Sequence, residues 1–348
     1  MNDLANDPST GALDTLAYAV GWLVLAVIAV WLVLRVLGAL RSRAQLDMAG
    51  RWIVVTGCDS GLGRGVVEKL LATNARVIAC CLTQEGSDAA LAAGVASAPC
   101  LDLTDEAAVA SLVDDISRSS NGHLWGVVHS AGIVLPGFID YQPMDFYRRT
   151  MDVNFFAPVA LTRKLLPMLR ASSGRVVLVS SVDGIVSLPG NAPYDASKFA
   201  LEGYADALRT EQSFWDVSVS VVNPATMRTP MAGSFFESHR LAWNEMALQE
   251  PEGAWREVWS EQWLDRFIAV NAPQIKRIAQ DPAHAINDIS HAVTAVRPRL
   301  RYLSGTLAKT LFYALWVGPE SWGMKFKVAT IQPPPTGSPA AGRREAGV

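Results

Sequence analysis

The chain has 348 residues, half of them hydrophobic, and a formal net charge of −3 at neutral pH. That length suits one large or two modest domains with ample apolar material for a core, and the charge gives no indication of nucleic-acid binding. The four cysteines lack the spacing of a metal site or of a disulfide framework, so neither is expected.

An uncharged run of twenty residues, 15–34, lies near the N-terminus. At 1.5 Å per residue, a helix of that length crosses a hydrocarbon core of about 30 Å. Acidic residues precede the run and arginines follow it, which is unlike a signal peptide and favours a cytoplasmic location for the rest of the chain. We therefore predict an N-terminal segment, 1–45, with a single transmembrane helix. A buried soluble helix is the alternative.

Short apolar runs then alternate with longer helical stretches. Strands are predicted at 52–56, 76–82, 98–103, 125–130, 175–180, 217–223 and 300–303, and helices at 106–118, 145–169 and 197–214. Strands that alternate with helices of ten or more residues are typical of a doubly wound parallel sheet. We expect an α/β domain of Rossmann type with about seven strands over residues 46–305, and a ligand at the carboxyl ends of its strands.

The first predicted strand runs into a glycine turn, T-G-C-D-S-G-L-G, at residues 56–63. Glycine lets the backbone approach a pyrophosphate, and the N-terminus of the helix that follows offers free N–H groups. Taken alone, the pattern is equally typical of a turn packed tightly against a helix.

A second motif, Y-D-A-S-K, places Tyr194 and Lys198 on one face of a predicted helix. An ammonium near a phenol favours the phenolate, and such a tyrosine can take a proton from an alcohol or return it. Ser181 ends the fifth predicted strand and could hold the substrate oxygen by a hydrogen bond. A Y-x-x-x-K pair alone is more often an ordinary surface pair.

Taken together, these motifs closely resemble those of the short-chain dehydrogenase/reductase family. They are T-G-C-D-S-G-L-G at 56–63, Asp102, S-A-G at 130–132, Asn154, S-S-V-D-G at 180–184, Y-D-A-S-K at 194–198 and N-P-A-T-M-R-T at 223–229. Their order and spacing fit the family over residues 50–305. Within it, T-G-C-D-S-G, A-C-C-L-T, L-W-G-V-V and R-P-R-L-R-Y-L-S-G resemble the membrane-bound retinol and hydroxysteroid dehydrogenases.

The resemblance implies a role for each matching position. Tyr194 would be the general acid/base, and Lys198 would lower its pKa and hold the nicotinamide ribose. Ser181 would orient the reacting oxygen, and Asn154 would anchor a water in a proton relay. The implied cofactor-binding residues, besides Tyr194 and Lys198, are Gly57, Asp59, Ser60, Gly61, Leu62, Gly63, Asp102 by the adenine, Ser130, Ala131, Gly132, Pro224 and Thr229 by the carboxamide.

Two positions depart from the family pattern. His129 and Ser130 stand where Asn-Asn is usual, and Ala225 stands where Pro-Gly has its glycine. Serine reaches less far than asparagine, so we expect weaker cofactor binding or strand anchoring there. Ala225 restricts the backbone by one Cβ, and His129 is expected to be a satisfied core residue.

The expected function is a membrane-anchored oxidoreductase that transfers a hydride between NAD(H) and a lipophilic alcohol or ketone of retinoid or hydroxysteroid type. NAD is favoured over NADP because Asp59 lies in the glycine turn and no Arg or Lys follows the second strand to meet a 2′-phosphate. Two alternatives stay open: a cofactor-binding scaffold without turnover, and a tethered reductase of a soluble carbonyl metabolite. A homodimeric assembly is also left open.

The last regions are assigned by composition. The insert at about 230–280 lies where the family has its substrate lid, and the spacing of Trp255, Trp259 and Trp263 predicts a stripe on one helix face, for substrate binding or for packing. Residues 306–331 are apolar and too short to span, so they are expected at the membrane interface or as a core helix. Residues 332–348 are expected to be disordered.

Overall fold

The computed structural model describes residue 15, residues 17–30, residue 33, residues 44–331, and residues 335 and 337. The chain divides into two compact units, Met1–Leu46 with Ala295–Arg297, and Asp47–Thr294 with Pro298–Val348. The second unit contains every candidate site residue.

Parallel strands form the centre of this second unit. They are β1 (Trp52–Thr56), β2 (Arg76–Cys80), β3 (Gly126–His129), β4 (Arg175–Val179), β5 (Ser218–Pro224) and β6 (Arg301–Ser304). Their order in the sheet is β2-β1-β3-β4-β5-β6. The order reverses between β1 and β3, so the carboxyl ends of these two strands border the crevice in which such sheets bind ligands.

Helices cover both faces of the sheet, which explains why its strands are almost continuously apolar. Helices α1 to α6 are Gly61–Leu71, Gln84–Ala92, Glu106–Ser120, Met144–Met151, Ala157–Ala171 and Ala192–Gln212, and α7 to α13 are Pro230–Gly233, Phe235–Gln249, Trp255–Val258, Glu261–Ile278, Ala283–Thr294, Tyr313–Val317 and Glu320–Thr330. Helix α3 shows how the sequence sets such bounds: Asp105 caps its first turn, and Asn121 ends it in the left-handed conformation.

One predicted strand is wrong. Residues 98–103 form no strand, because the chain there touches β2 and the residue after it only through the isolated bridges Ile78↔Ser97 and Cys81↔Cys100. Pro99 lies between the two bridges and has no N–H group with which to continue a ladder. In the part of the chain that the structure describes, the sheet therefore has six strands rather than about seven, and the run at 300–303 is its edge strand β6.

The main core lies between the sheet and helices α5 and α6. Leu161, Leu165 and Leu169 recur every four residues on α5 and pack with buried valines of the central strands. Three cysteines are buried, as expected, but Cys100 is exposed. The apolar strands are thus explained by packing, and polar side chains gather where the strands end.

Helices α7 to α10 occupy the predicted lid and have an aromatic core of their own. The three tryptophans do not form a stripe on one helix, because α9 ends at Val258 and Trp263 lies in α10 after the Ser260 cap. Trp259 and Trp263 meet around Phe138, whose ring stacks on Trp259 at 4.5 Å and meets Trp263 edge-on at 5.3 Å between ring centres. Trp255 packs instead against Tyr141, at 5.9 Å between ring centres. Trp263 is completely buried, so packing is its role.

The two membrane predictions fall on different parts of the chain. Of the run 15–34, residues 15, 17–30 and 33 are described, and they are helical and exposed; the others lie outside the described residues. Among the described residues, no helix has both the length and the apolar character to cross a membrane.

The segment after β6 begins with the π-helical turn Ala308–Phe312 and continues into α12 and α13. Ala308 and Phe312 are buried in a cluster with Val182 and Val186. The side chains beyond them become exposed, and Trp322 has 67% of its surface accessible. This segment therefore contains a core-packing part and an exposed apolar part. The predicted tail, 332–348, lies outside the described residues apart from positions 335 and 337.

Candidate active site

The glycine turn follows β1, and its glycines serve different purposes. A Cβ on Gly63 would lie 2.1 Å from the carbonyl oxygen of Gly57, and one on Gly57 would lie 2.6 Å from the Cα of Ala131. These two glycines are required by packing alone. Gly61 has a φ of +57° but open space, since a Cβ there would meet only the side chain of Thr229, at 3.6 Å. The turn therefore stays open at Gly61, beside Thr229.

This opening lies at the N-terminus of helix α1. Ser60 occupies the N-cap position in an extended conformation, yet its side chain makes no capping hydrogen bond, and Leu62 is half-buried in the first turn. The first N–H groups of the helix thus have no side-chain acceptor at the cap. An open glycine turn with such donors fits the pyrophosphate of a dinucleotide.

The S-A-G loop after β3 is anchored to this turn through its main chain. The Thr56 hydroxyl oxygen accepts hydrogen bonds from the N–H groups of Ser130 and Ala131, both at 3.1 Å. This anchoring therefore does not use the side chain at position 130. His129 is buried and contacts the Thr162 hydroxyl at 2.8 Å, and burial lowers its pKa to about 3. It is a satisfied core residue, as predicted.

Asp59 reaches from the glycine turn to the end of β2. Its carboxylate accepts hydrogen bonds from the Leu82 N–H at 2.9 Å, and from the Thr83 N–H at 2.9 Å and hydroxyl at 2.7 Å. Burial opposes ionisation, but these hydrogen bonds outweigh it, and the pKa of Asp59 is lowered. Arg64, which the sequence analysis passed over, donates from its guanidinium to the main-chain oxygen of Asp59. It belongs to the first turn of α1, five residues after Asp59.

The other predicted cofactor residues lie on the chain after β2 and at or after the end of β5. Asp102 is exposed, and its carboxylate accepts hydrogen bonds from the N–H and hydroxyl of Thr104, both at 2.8 Å. Pro224 is buried at the end of β5, where it pairs with Ser304 of β6. Thr229 follows five residues later and approaches Gly61.

Asn154 joins the S-A-G loop to helix α6. The π-helical turn Asp152–Phe156 between α4 and α5 buries Asn154, whose Oδ1 accepts from the Ile133 N–H at 2.8 Å. Its Nδ2 donates to the Ile133 carbonyl at 2.9 Å and to the Ser197 hydroxyl at 3.0 Å. A Cβ on Gly132 would lie 3.1 Å from Asn154 Oδ1 and 3.7 Å from Lys198 Nζ, so the loop passes close to both side chains.

Ser181, Tyr194 and Lys198 meet at the end of β4. Ser181 has an extended backbone, and its hydroxyl accepts a hydrogen bond from the Asp183 N–H at 3.1 Å. Tyr194 lies in the first turn of α6, close enough to the Ser181 side chain for that hydroxyl to lower its pKa. Lys198 Nζ lies 5.4 Å from the centre of the Tyr194 ring and donates to the Val179 carbonyl at 3.0 Å. The structure thus brings the four predicted catalytic side chains into one cluster, in which Asn154, Ser181 and Lys198 are buried and Tyr194 is half-buried.

Burial dominates the electrostatics of this cluster. It lowers the pKa of Lys198 to about 8, while the negative charges of Glu202 and Asp183 oppose that shift. It also raises the pKa of Tyr194, with a further increase from Asp183 and a decrease from the Ser181 hydrogen bond. The protein without cofactor therefore holds Tyr194 as a neutral phenol.

Two acidic residues beside Tyr194 were not recognised in the sequence. Asn191 Nδ2 donates to Asp195 at 3.0 Å and contacts Asp183 at 3.5 Å, and Asp195 also accepts from the Leu188 N–H at 2.7 Å. Burial raises the pKa of Asp183 to about 7, and burial together with Asp183 raises that of Asp195 to about 9. Both lie inside the quoted motifs S-S-V-D-G and Y-D-A-S-K, but no spacing rule indicated that they meet.

Comparison with known proteins agrees with this geometry. The family model described as short chain dehydrogenase matches residues 51–240. Retinol dehydrogenase 16 of Mus musculus is 32% identical over 298 residues, covering 84% of this chain and 92% of that protein. The 17-beta-hydroxysteroid dehydrogenase type 6 of Bos taurus is 29% identical over 277 residues, covering 78% of this chain and 86% of that protein.

A solved structure shows the same fold. A short-chain dehydrogenase from Streptomyces avermitilis aligns with 81% of this chain and 98% of its own, with a TM-score of 0.62 at 24% identity. The family match covers more than half of this chain, and the two relatives extend over most of its length. The chain therefore belongs to the short-chain dehydrogenase family, in the branch of the retinol and hydroxysteroid dehydrogenases, and is an oxidoreductase that acts on CH–OH groups.

Proposed function

We propose that this protein transfers a hydride between NAD(H) and a lipophilic alcohol or ketone of retinoid or hydroxysteroid type at a membrane surface. The observation that carries the reaction is that Lys198 Nζ lies 5.4 Å from the Tyr194 ring and is fixed by the Val179 carbonyl, two residues before Ser181. The hydroxyl groups of Ser181 and Tyr194 are neighbours at this place, and two neighbouring hydroxyl groups can both hold the oxygen of an alcohol. The open glycine turn at Gly61 supports a dinucleotide beside them.

The chain's own residues supply binding and proton transfer. Ser181 and Tyr194 bind the substrate oxygen, and Tyr194 takes the hydroxyl proton as the hydride leaves the carbon. The nicotinamide ring, when bound, supplies the hydride acceptor and a positive charge. Because burial raises the pKa of Tyr194, the ammonium of Lys198 must act together with that charge to favour the phenolate. Asn154, bonded to Ser197 on α6, continues the polar path behind Lys198.

The proposed roles predict different losses for two substitutions. Tyr194→Phe should lower kcat by at least about 100-fold, the scale of positioned proton transfer, and leave the Kd for NADH nearly unchanged. Lys198→Ala should damage both turnover and cofactor binding, because the ammonium serves both. The matched control is Tyr204→Phe, on the same helix, which should keep kcat. Steady-state kinetics and NADH fluorescence titration measure the two quantities, and more than about a tenth of wild-type kcat in Tyr194→Phe would refute the assignment.

Cofactor preference is proposed from Asp59. Its carboxylate is held ionised at the end of β2, where a 2′-phosphate would meet a negative charge. We expect kcat/KM at least about tenfold higher with NAD than with NADP, a ratio that corresponds to about 1.4 kcal/mol. Asp59→Asn keeps the shape of the side chain and removes its charge. The preference for NAD over NADP in kcat/KM should therefore become smaller.

Arg64 is the counter-argument, because its guanidinium bonds the main chain of Asp59 and could turn toward a phosphate. Arg64→Gln should therefore weaken the binding of NADP more than the binding of NAD. A tenfold preference of the wild-type protein for NADP would overturn the proposal.

Membrane attachment is proposed from the two ends of the described chain. The uncharged run 15–34 would anchor the protein as a single pass, with the catalytic unit on the cytoplasmic side. After β6, Trp316 is 42% exposed and Trp322 is 67% exposed. Lys325 and Lys327 follow Trp322 within five residues. Exposed aromatic side chains next to lysines are typical of a segment that lies in a membrane interface.

Deleting residues 1–45 tests the second attachment separately. The truncated protein should still sediment with vesicles that contain anionic phospholipid, because the exposed tryptophans and lysines remain. Adding Trp322→Ala should reduce the bound fraction several-fold. The control is Trp215→Ala, which removes another half-exposed tryptophan from an earlier part of the chain. This variant should bind vesicles as well as the truncated parent protein does. Full solubility in low salt, with no vesicle binding, would contradict the interfacial proposal.

The substrate class is proposed from the lid and tested by a comparison of alcohols. Met231 is an exposed apolar residue in α7, two positions after Thr229. We expect kcat/KM for a retinoid or a hydroxysteroid to exceed that for a short alcohol by at least 100-fold, about 2.7 kcal/mol of apolar contact. Met231→Ser should raise KM for the long alcohol much more than for the short one.

Trp263→Ala serves as the control for folding. Trp263 is fully buried in the lid core, so its loss should lower the melting temperature and affect all substrates alike. A clear kinetic preference for a small polar alcohol would favour a tethered reductase of a soluble metabolite. NADH binding without turnover on any alcohol or ketone would favour the scaffold.

A further inference from the structure

A buried ion pair lies behind the catalytic cluster, on the side of β6. Arg301 of β6 contacts Glu202 of α6, with 2.7 Å between Nη2 and Oε2. Their side chains are only 24% and 10% exposed. Taking both charges out of water offsets most of their attraction, so a pair of this kind is weak evidence for stability. Its geometry suggests another purpose.

Asn223 connects this ion pair to Ser181. Its Nδ2 donates to Glu202 Oε1 at 2.6 Å and to the main-chain oxygen of Ser181 at 2.8 Å. Its Oδ1 accepts from Arg301 Nη1 at 2.9 Å. The Asn223 side chain is completely buried and satisfied at both ends, so its position is tightly defined. Asn223 thereby holds the carbonyl of Ser181, while the Ser181 hydroxyl accepts a hydrogen bond from the main-chain N–H of Asp183.

Glu202 also acts on Lys198 directly. It lies one helical turn after Lys198 on α6, and its negative charge is the largest influence that opposes the effect of burial on the lysine. The other charged group that faces Lys198 is Asp183, after β4. The π-helical turn that packs against α6 presents the neutral Asn154, and Asp152 in the same turn is exposed. Glu202 is therefore the charge on the lysine's own helix that favours the ammonium.

The C-terminal segment covers the far end of the network. The guanidinium carbon of Arg301 lies 5.3 Å from the ring centre of Trp316 in α12, within the range of a cation–π contact. The ring protects Arg301 from solvent on that side. A continuous series of contacts thus runs from Trp316 through Arg301 of β6, Glu202 of α6 and Asn223 of β5 to the main chain of Ser181.

We propose that Glu202, held by Arg301 and Asn223, is a positioning residue that fixes the main chain of Ser181 and supplies the negative charge that keeps Lys198 an ammonium. This inference rests on the proposed oxidoreductase function of the same site. Glu202 touches neither the substrate nor the reacting atoms in this arrangement, and it acts through Ser181 and Lys198.

The first test removes the charge and keeps the shape. Glu202→Gln retains an oxygen that can accept from Asn223 but no longer favours the ammonium. Cofactor binding that needs the ammonium is lost as pH rises through the pKa of Lys198, about 8 in the wild-type protein. Without Glu202 that pKa falls, so the loss of NADH affinity should move to lower pH by roughly one unit. The lower limb of the kcat profile for alcohol oxidation should move to higher pH, because Tyr194 loses part of its stabilising charge.

The matched control is Asp206→Asn, the same chemical change one turn further along α6. Asp206 pairs with Arg209, but its side chain is 67% exposed and is not part of the network. Its pH profiles for NADH binding and for turnover should coincide with those of the wild-type protein. NADH binding is followed by fluorescence and does not need turnover, so it separates failure of this inference from failure of the proposed reaction.

The second test keeps the charge and removes the geometry. In Arg301→Lys, the ammonium can reach Glu202 but cannot also donate to Asn223 and lie against Trp316 as a planar group. We expect kcat to fall about tenfold with an unshifted pH profile and unchanged NADH affinity. The inference is overturned if Glu202→Gln gives the wild-type pH dependence of NADH binding with only a lower melting temperature. If Glu202→Gln does not fold, wild-type kcat in Arg301→Lys overturns the positioning role instead.

Discussion

The buried ammonium of Lys198 is the constraint on which the site depends. An amine in this position loses its hydration, and burial lowers its pKa to about 8. The fold compensates with a hydrogen bond to the Val179 carbonyl and with two carboxylates, Glu202 and Asp183. Each compensating group comes from a different place: the end of β4, the next turn of α6 and the turn after Ser181. The position of Tyr194 therefore depends on the packing of α6 against the end of β4.

The cofactor side of the crevice shows how packing and binding share the same residues. Gly57 and Gly63 are needed because the turn, the S-A-G loop and α1 touch one another, whereas Gly61 keeps the turn open. Thr56 fixes the S-A-G loop through two main-chain N–H groups, so this contact does not depend on which side chain stands at position 130.

In the lid and the C-terminal segment, tertiary contacts decide which apolar residues are buried and which are exposed. The spacing of Trp255, Trp259 and Trp263 predicted one helix face, but the helix breaks between α9 and α10. Trp259 and Trp263 meet around Phe138, whereas Trp255 packs against Tyr141. A period-four pattern over nine residues fits one helix or two short ones equally well. Likewise, residues 98–103 have the composition of a strand but contain Pro99, and a single missing donor reduces the ladder to isolated bridges.

The sequence by itself determined the doubly wound sheet and the glycine turn, because short-range periodicity and a local motif encode them. Its resemblance to a known family pointed to Asn154, Ser181, Tyr194 and Lys198 as the candidate catalytic residues. Only the tertiary structure decided which distant charges surround them. Glu202 joins Arg301 across almost a hundred positions of sequence, and Arg301 reaches Asn223 across 78. Coulombic and hydrogen-bond energies depend on separation in space and on burial, and neither quantity is periodic in sequence, so no local pattern could reveal these contacts before the chain was folded.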